Sequence, residues 1–379
     1  MQALKNVNYS YWEQDQYFRT FDLIVIGSGI VGLSTAISFK QKNKKASVLV
    51  IEKGLLPSGA STKNAGFACF GSPSELLDDL GRMKHESVWE TVNMRWQGLG
   101  LLRKRLGDKN IEYNNWGGYE LFDKQNDFDF CLENVSYLNK EFENTLGIKK
   151  TFTNASKKIN HFKNIKGTLL NKYEGQINTG KMMVCLIKLA IENSILILNN
   201  VGITAIQDNG AFVELKSEAG VFRAKKTVVA TNGFAKDLLT IKDVAPARAQ
   251  VLITKPIKGL KIKGAFHYQQ GYYYFRNIGN RILFGGGRNL DRETETTTKM
   301  ELNAKLQANL DELLKTMILP GIVFETEYRW SGIMGVGSEK KPIVEFTSKN
   351  VLAAVRMGGM GIAIGSLVGE MAAKKIRNA

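Results

Sequence analysis

Two short apolar runs near the start of the chain, joined by a glycine-rich turn and a helical pattern, predict one βαβ unit. Residues 21–26 and 47–51 are almost uniformly apolar and rich in β-branched side chains. This composition is typical of strands that are buried on both faces of a parallel sheet. Between them, residues 33–39 place their apolar side chains on one side of a helix. The order therefore predicts two parallel strands with a crossover helix between them.

The turn after the first strand carries three glycines, Gly27, Gly29 and Gly32. We expect Gly27 to permit the tight turn, Gly29 to let the backbone approach a pyrophosphate, and Gly32 to let the helix pack closely on the strand. Ile30 and Val31 begin the helix, where free N–H groups and the positive end of the helix dipole favour phosphate. The spacing predicts a dinucleotide-binding turn.

An acidic residue ends the second apolar run. This residue is Glu52, and Lys53 follows it. A carboxylate at this point accepts hydrogen bonds from ribose hydroxyls and disfavours a 2′-phosphate. Because strand, glycines, helix, second strand and acid occur in this order, a ligand-free glycine turn explains the sequence less well. Glu52 and Lys53 are therefore predicted to bind the cofactor.

The rest of the chain mixes helical and strand patterns. Helical periodicity is expected over residues 73–106, 181–193 and 298–317, and strand patterns over 117–122, 250–254, 272–276 and 281–285. A chain of 379 residues is long enough for two or three domain-sized units.

Composition narrows the class of protein. Three widely spaced cysteines form no CxxC pair, which predicts a reducing compartment and no structural zinc. With three histidines in all, a His-rich metal site or a Ser-His-Asp triad is not expected, and we predict no metal. The first residues lack an apolar signal segment, and no apolar stretch reaches about 18 residues. We therefore expect a cytoplasmic protein without a transmembrane helix.

Basic residues are in excess. The chain has 52 Lys and Arg against 36 Asp and Glu, for a formal net charge of +16. Residues 149–173 and 244–290 contain many of the basic residues and no acidic one. Such stretches favour anionic partners, although a solvated lysine-rich surface is the simpler interpretation.

Residues 57–67, Pro-Ser-Gly-Ala-Ser-Thr-Lys-Asn-Ala-Gly-Phe, follow shortly after the acid. Here the chain resembles the FAD-dependent D-amino acid oxidase superfamily, in particular its glycine oxidase, sarcosine oxidase and γ-glutamylputrescine oxidase branch. The resemblance covers nearly the whole chain. It implies an α/β fold with a discontinuous Rossmann-type FAD-binding domain and an α+β substrate domain built on an antiparallel or mixed sheet. The expected bounds are 15–78, 174–236 and 326–379 for the first domain, and 79–173 and 237–325 for the second.

The resemblance also implies which residues contact FAD. Beyond the βαβ unit, these are Ser61, Thr62, Lys63, Asn64, Ile203, Ala230, Thr231, Gly358, Gly359, Gly361 and Ile362. In the family, the last of these lie at a helix N-terminus that points at the flavin and stabilises negative charge on the reduced ring. Ser331 occupies the position of the family cysteine that can bond flavin covalently, so non-covalent FAD is expected.

The substrate side departs from the family pattern. By resemblance, Tyr273 reaches a substrate carboxylate. Arg276 and Arg288, near the strand ends, are candidates to meet an anionic group, although a solvated charge is the simpler interpretation of each. Met334 replaces the arginine that clamps the carboxylate of amino-acid substrates, and we expect Arg356 to substitute for it. Leu283 replaces a lysine that helps activate oxygen, so the electron acceptor stays open.

Three functions are compatible with this sequence. The favoured one is oxidation of a C–N bond in a small amine or amino-acid-like substrate, by hydride transfer to flavin N5. The second is modification of the wobble uridine of tRNA by an FAD-dependent oxidoreductase, which the basic stretches would suit. The third is a non-catalytic FAD-binding protein. Substrate identity and oligomeric state are left open.

Overall fold

Two large sheets organise the molecule, which a computed structural model describes for residues 8–157 and 161–379. The strands in these ranges are β1 Thr20–Ile26, β2 Val48–Ile51, β3 Phe67–Ala68, β4 Gly118–Phe122, β5 Phe152–Asn154, β6 Gly167–Asn171, β7 Gly175–Gln176, β8 Leu196–Leu198, β9 Ile203–Asp208, β10 Val213–Ser217, β11 Gly220–Val229, β12 Ala245–Thr254, β13 Ala265–Tyr268, β14 Tyr273–Ile278, β15 Arg281–Gly286, β16 Thr326–Val336, β17 Ile343–Ser348 and β18 Val351–Val355. The helices are α1 Tyr11–Tyr17, α2 Ile30–Lys42, α3 Ala60–Lys63, α4 Pro73–Arg82, α5 His85–Leu106, α6 Gln125–Glu133, α7 Val135–Leu146, α8 Thr179–Glu192, α9 Ala304–Leu313 and α10 Gly361–Arg377.

The first sheet contains the predicted βαβ unit. Its strands follow the order β17-β18-β11-β1-β2-β8, and β10 and β9 extend it from β11. β1 pairs in parallel with both β11 and β2. Leu23, Ile24 and Val25 are fully buried, as expected for a central strand with both faces covered. The predicted strand–helix–strand order is present at β1, α2 and β2.

Helices α2 and α10 pack closely against each other on this sheet. A Cβ atom on Gly365 would lie 2.9 Å from Ile30 Cγ2, and one on Gly369 would lie 2.5 Å from Ser34 Cβ. Glycine is therefore required at both positions for this approach. The packing brings the N-termini of the two helices to the same cavity, which Ile30 and Gly361 both line.

The second sheet is mixed, with the order β16-β12-β15-β14-β13-β4-β6-β5. Neighbouring strands are antiparallel except β13 and β4, which are parallel. One face carries an aromatic core in which Phe266 and Phe275 stack with ring centroids 4.8 Å apart. The two sheets confirm the predicted α/β class, with a Rossmann-type domain and a second domain on a mixed sheet.

Two elements pack across the predicted domain bounds, which stay predictions. β16, residues Thr326–Val336, was expected in the FAD-binding domain, but it pairs with β12 and is an edge strand of the second sheet. α5, expected in the substrate domain, packs instead on α10, where a Cβ on Gly98 would lie 2.3 Å from the Ala363 carbonyl oxygen. In both cases the contacts are long-range, and local patterns do not encode them.

The long helix expected over residues 298–317 is shorter. α9 begins at Ala304, because Asn303 caps it by accepting a hydrogen bond from the Leu306 N–H at 3.3 Å. A π-helical turn, Leu314–Ile318, continues it. Among the residues that the structure describes, no helix is both long and apolar enough to cross a membrane.

Candidate cofactor and substrate site

A cavity of about 790 Å³ lies between the two sheets. One end begins at the carboxyl ends of β1 and β2, where Ile26 and Glu52 line it. The other end reaches the second sheet, where Tyr272 and Tyr274 line it. The carboxyl ends of parallel strands are the usual ligand position in such sheets.

The glycine turn after β1 forms a wall that only glycine permits. Gly27 has φ +100°, a conformation that favours glycine. A Cβ on Gly29 would lie 2.8 Å from Ser61 Oγ, and one on Gly32 would lie 1.8 Å from the Gly27 carbonyl oxygen. Gly27, Gly29, Ile30 and Val31 line the cavity, whereas Gly32 acts behind it through close packing.

Glu52 is fixed at the nucleotide end of the cavity. Its Oε2 accepts hydrogen bonds from the Ser28 N–H at 3.0 Å and the Ser28 hydroxyl at 2.9 Å. Its Oε1 accepts one from the Gly54 N–H at 3.0 Å. Lys53, Ile203, Ala230 and Thr231 line the same part of the cavity. These residues, predicted to bind the nucleotide, all line the cavity, and their contact with a nucleotide stays a prediction.

The segment 57–67 closes one side. Ser61 Oγ accepts a hydrogen bond from the Ile30 N–H at 2.9 Å, which ties the segment to the start of α2. Asn64 Oδ1 accepts from the Gly66 N–H at 2.8 Å and from the Thr179 hydroxyl at 2.9 Å. Ser61, Lys63 and Asn64 line the cavity. Thr62 does not: its hydroxyl donates to the Pro57 carbonyl at 2.6 Å, which corrects its predicted role.

The loop before α10 forms the opposite side. Gly358 and Gly359 have φ +57° and +83°, and both line the cavity with Gly361 and Ile362. Two helix N-termini and a fixed carboxylate suit a diphosphate and a ribose, and glycines leave room for a bulky group beside them. The cavity therefore fits FAD, and the predicted residues that line it, all but Gly32 and Thr62, would hold it.

Tyr273 requires a correction. Its side chain points away from the cavity into the core of the second sheet, where it is 3% exposed. Its hydroxyl donates to Asn309 Oδ1 at 2.7 Å. Because side chains alternate along β14, Tyr272 and Tyr274 face the cavity instead. The alternation of these side chains could be predicted from the sequence, but the side of the strand that faces the cavity could not.

Arg276 lies on the cavity side of β14 but does not line the cavity. It is buried behind the segment 57–67, where a Cβ on Gly66 would lie 3.0 Å from its Nη2. Burial lowers the pKa of this guanidinium to about 10. Arg276 is therefore buried behind the residues that line the cavity and does not line it itself.

Arg356 also requires a correction. Its guanidinium donates to the Lys341 carbonyl at 2.8 Å and forms an ion pair with Asp243. Its backbone has φ +66°, and its side chain does not line the cavity, whereas Met357 does. Met334 does line the cavity, and its Sδ lies 3.3 Å from a Cβ built on Gly359. Arg356 therefore does not replace the arginine missing at Met334.

Sequence reasoning missed two titratable residues of the substrate end, Glu75 and His267. Burial alone would raise the pKa of Glu75, but Lys340 at 2.8 Å and Arg95 at 3.7 Å outweigh it and lower the pKa to about 2. Burial lowers the pKa of His267 to about 4. His267 pairs with Tyr274 across β13 and β14, a register that no local pattern reveals.

Comparisons with known proteins identify the family of the chain. The family model described as "DAO: FAD dependent oxidoreductase" matches residues 22–375. The Haemophilus influenzae protein "Probable oxidoreductase OrdL" is 21% identical over 378 residues, covering 94% of this chain and 82% of that protein. The glycerol 3-phosphate oxidase of Mycoplasma genitalium is 22% identical over 368 residues, covering 90% of each.

Solved structures share the fold. L-proline dehydrogenase from P. horikoshii superposes with a TM-score of 0.75 at 17% identity, covering 95% of this chain and 94% of that chain. Glycine oxidase from Geobacillus kaustophilus gives 0.75 at 19% identity, covering 95% of both. Since the family model spans nearly the whole sequence and the cavity suits its cofactor, the chain belongs to the DAO family of FAD-dependent oxidoreductases and is a flavoenzyme.

Proposed function

We propose that this flavoenzyme oxidises a C–N bond in a small amine or amino-acid-like substrate. The proposal rests on the end of the cavity at the second sheet, which we call the chamber. It is continuous with the part of the cavity that fits FAD. Tyr272, Tyr274, His267 and Met334 line it. A substrate held there would contact the part of the cavity that residues 57–67 and the loop before α10 enclose.

The chamber residues suit a neutral amine. Burial raises the pKa of Tyr274 to about 12, so its phenol stays protonated and can donate a hydrogen bond. His267 is neutral at pH 7 and offers a lone pair to a substrate N–H. Met300, Met334 and Met357 add apolar surface that excludes water. Bound FAD supplies the acceptor for a hydride from the carbon next to nitrogen.

Several structural relatives support the substrate class. Besides glycine oxidase, they include an iminodiacetate oxidase from Chelativorans, with a TM-score of 0.73 at 16% identity. The glycerol 3-phosphate oxidase of Mycoplasma genitalium is the counterexample, since it is named for an alcohol. A test must therefore compare amines with this alcohol.

Anaerobic reduction of the bound flavin provides the test, because it does not depend on the electron acceptor. The holoenzyme is mixed with glycine, sarcosine, L-proline, iminodiacetate, simple amines and glycerol 3-phosphate, and bleaching of flavin absorbance is followed. We expect at least one amine to bleach the flavin and glycerol 3-phosphate not to. Reduction by glycerol 3-phosphate alone would reject C–N oxidation. Bleaching by nothing in the panel would favour the non-catalytic alternative.

We also propose that FAD is held without a covalent bond. Ser331 is buried on β16, and none of the three cysteines lines the cavity in the described part of the chain. Acid precipitation should therefore release the yellow colour to the supernatant. Colour that stays in the pellet would contradict this.

A further inference from the structure

Within residues 8–157 and 161–379, Arg288 is the one arginine that lines the cavity. Arg276 lies behind the wall, and Arg356 is paired with Asp243. Arg288 follows the end of β15, where Gly286 also lines the cavity. Arg288 thus lies beside the end of β15, while Met334 lines the cavity from β16.

The Arg288 side chain has no hydrogen-bond or ion-pair partner among the described residues, and its Nε is buried. The carboxylate that influences it, Glu295, is already bound by Arg248, whose Nη2 lies 2.7 Å from Glu295 Oε1. A partly buried cation without a partner is costly, because it loses water without gaining a hydrogen bond. An anion in the chamber would offset that cost.

A second arginine, Arg292, contacts Tyr272 at this end of the chamber. Arg292 donates a hydrogen bond to the Tyr272 hydroxyl, and its Cζ lies 5.5 Å from the Tyr272 ring centroid. The Tyr272 oxygen therefore already accepts a hydrogen bond, which leaves its own O–H free to donate. Burial and the neighbouring Arg292 both lower the pKa of Arg288, which agrees with an uncompensated cation.

We propose that Arg288 binds a carboxylate carried by the amine substrate, with the Tyr272 hydroxyl as a second donor. This inference rests on the proposed function and narrows it to amines that bear a carboxylate. A planar guanidinium matches a carboxylate with two parallel hydrogen bonds. Arg288, the one arginine of the cavity wall among the described residues, balances a single negative charge. Arg292 is a positioning residue, because it acts through Tyr272.

Ligand binding without turnover tests the proposal. The holoenzyme and the Arg288→Gln and Arg288→Lys variants are titrated with paired ligands, benzoate and benzamide, acetate and acetamide, and with inorganic phosphate. Perturbation of the flavin spectrum gives each Kd. The matched control is Arg281→Gln, which removes the same charge at the other end of β15, where Arg281 pairs with Glu327.

We expect Arg288→Gln to weaken carboxylate binding roughly 10- to 100-fold, the scale for a lost charged hydrogen bond. Amide binding should not change, Arg288→Lys should give an intermediate loss, and Arg281→Gln should behave as the wild type. An unchanged carboxylate Kd in Arg288→Gln, or an equal loss for the amides, would overturn the proposal. Phosphate binding more tightly than either carboxylate would overturn the ligand class.

Different outcomes would reject C–N oxidation and the anion site at Arg288. Arg288-dependent carboxylate binding in a protein whose flavin no amine bleaches would reject C–N oxidation and leave the anion site standing. Amine oxidation at equal kcat/KM in the wild type and Arg288→Gln, with carboxylate-bearing and neutral amines alike, would reject the anion site and leave C–N oxidation standing.

Discussion

The Glu52 carboxylate is held by the turn that it faces, because Ser28 and Gly54 donate hydrogen bonds to it. It is 8% exposed, and its orientation is set before any ligand arrives. Each carboxylate oxygen has more than one acceptor position, so Glu52 can still accept from ribose hydroxyls.

Replacing Glu52 tests its predicted role in the site. Glu52→Ala removes the acceptor and leaves ribose hydroxyls unpaired, so the Kd for FAD should rise roughly 10- to 100-fold. Titration of apoprotein with FAD gives the Kd. Glu345→Ala, an exposed residue on β17 of the same sheet, is the control and should not change it. An unchanged Kd in Glu52→Ala would remove Glu52 from the site.

Glu120 makes the stability of the protein depend on pH. It is 2% exposed, and burial raises its pKa from 4.5 to about 7 despite hydrogen bonds donated by Ser74. Because the folded-state pKa is the higher one, the stabilising contribution is complete below pH 4.5 and is lost as pH rises towards 7.

Glu120→Gln should abolish this loss, since an amide stays neutral and Ser74 can reverse its hydroxyl. Relative to the wild type, the variant should gain stability between pH 4.5 and 7, by at most about 3 kcal/mol for a pKa difference of this size. Urea unfolding at pH 5 and pH 8 measures the gain. A difference between variant and wild type that is the same at both pH values would contradict the prediction.

At the scale of elements, helix α5 positions the start of α10. Gly98 and Gly100 lie two residues apart in α5 but in different surroundings. A Cβ on Gly98 would meet the Ala363 carbonyl oxygen at 2.3 Å, whereas a Cβ on Gly100 would meet nothing within 4 Å. The first glycine is required by packing, and the second is not.

This pair gives a matched test. Gly98→Ala should destabilise the protein by about 1–3 kcal/mol through overpacking and should weaken FAD binding, because Gly361 at the start of α10 lines the cavity. Gly100→Ala should stabilise it by up to about 1 kcal/mol, since alanine favours helix. Thermal unfolding and FAD titration measure both. Equal effects of the two variants would disprove the close approach.

Elements with local signals could be predicted from the sequence. The β1–α2–β2 unit follows from apolar runs and glycines that lie within about 30 residues, the size of a βαβ unit. The face of Tyr273 and the partner of Arg356 could not be predicted, because each depends on a contact with a distant segment, Asn309 and Asp243 respectively. The same reason explains β16, whose sheet is set by pairing with β12.

At the scale of the whole molecule, two lysines of the basic stretches lie at the same end of the second sheet. Lys172 follows β6 and lies 4.9 Å from the Tyr173 ring centroid. Lys263 precedes β13 and lies 4.6 Å from the Trp116 ring centroid. Both strands align there, because Asn171 and Ala265 pair with the same residue of β4. Exposed lysines beside aromatic rings can contact nucleic acid.

A salt series distinguishes a specific tRNA site from general attraction. We expect weak, sequence-indifferent tRNA binding whose affinity falls steeply with salt as counterions are released. Flavin reduction by an amine should change little, because its charges are buried. Tight, saturable tRNA binding at physiological salt, with no amine able to bleach the flavin, would instead promote the RNA-modifying function. Lys157, Lys261 and Lys263 would then be mutated first; Lys158, also predicted, lies outside the described residues.

The cavity wall is assembled from segments that are far apart along the chain, including residues 26–31, 230–234, 249–251 and 357–362. Only a chain that has folded almost throughout can therefore bind FAD. Bound FAD thus stabilises the folded state against global unfolding. Free FAD at 100 times its Kd would add about 2.7 kcal/mol. The steady-state amount of this protein in a cell should then follow the supply of flavin, with proteases removing the apoprotein first.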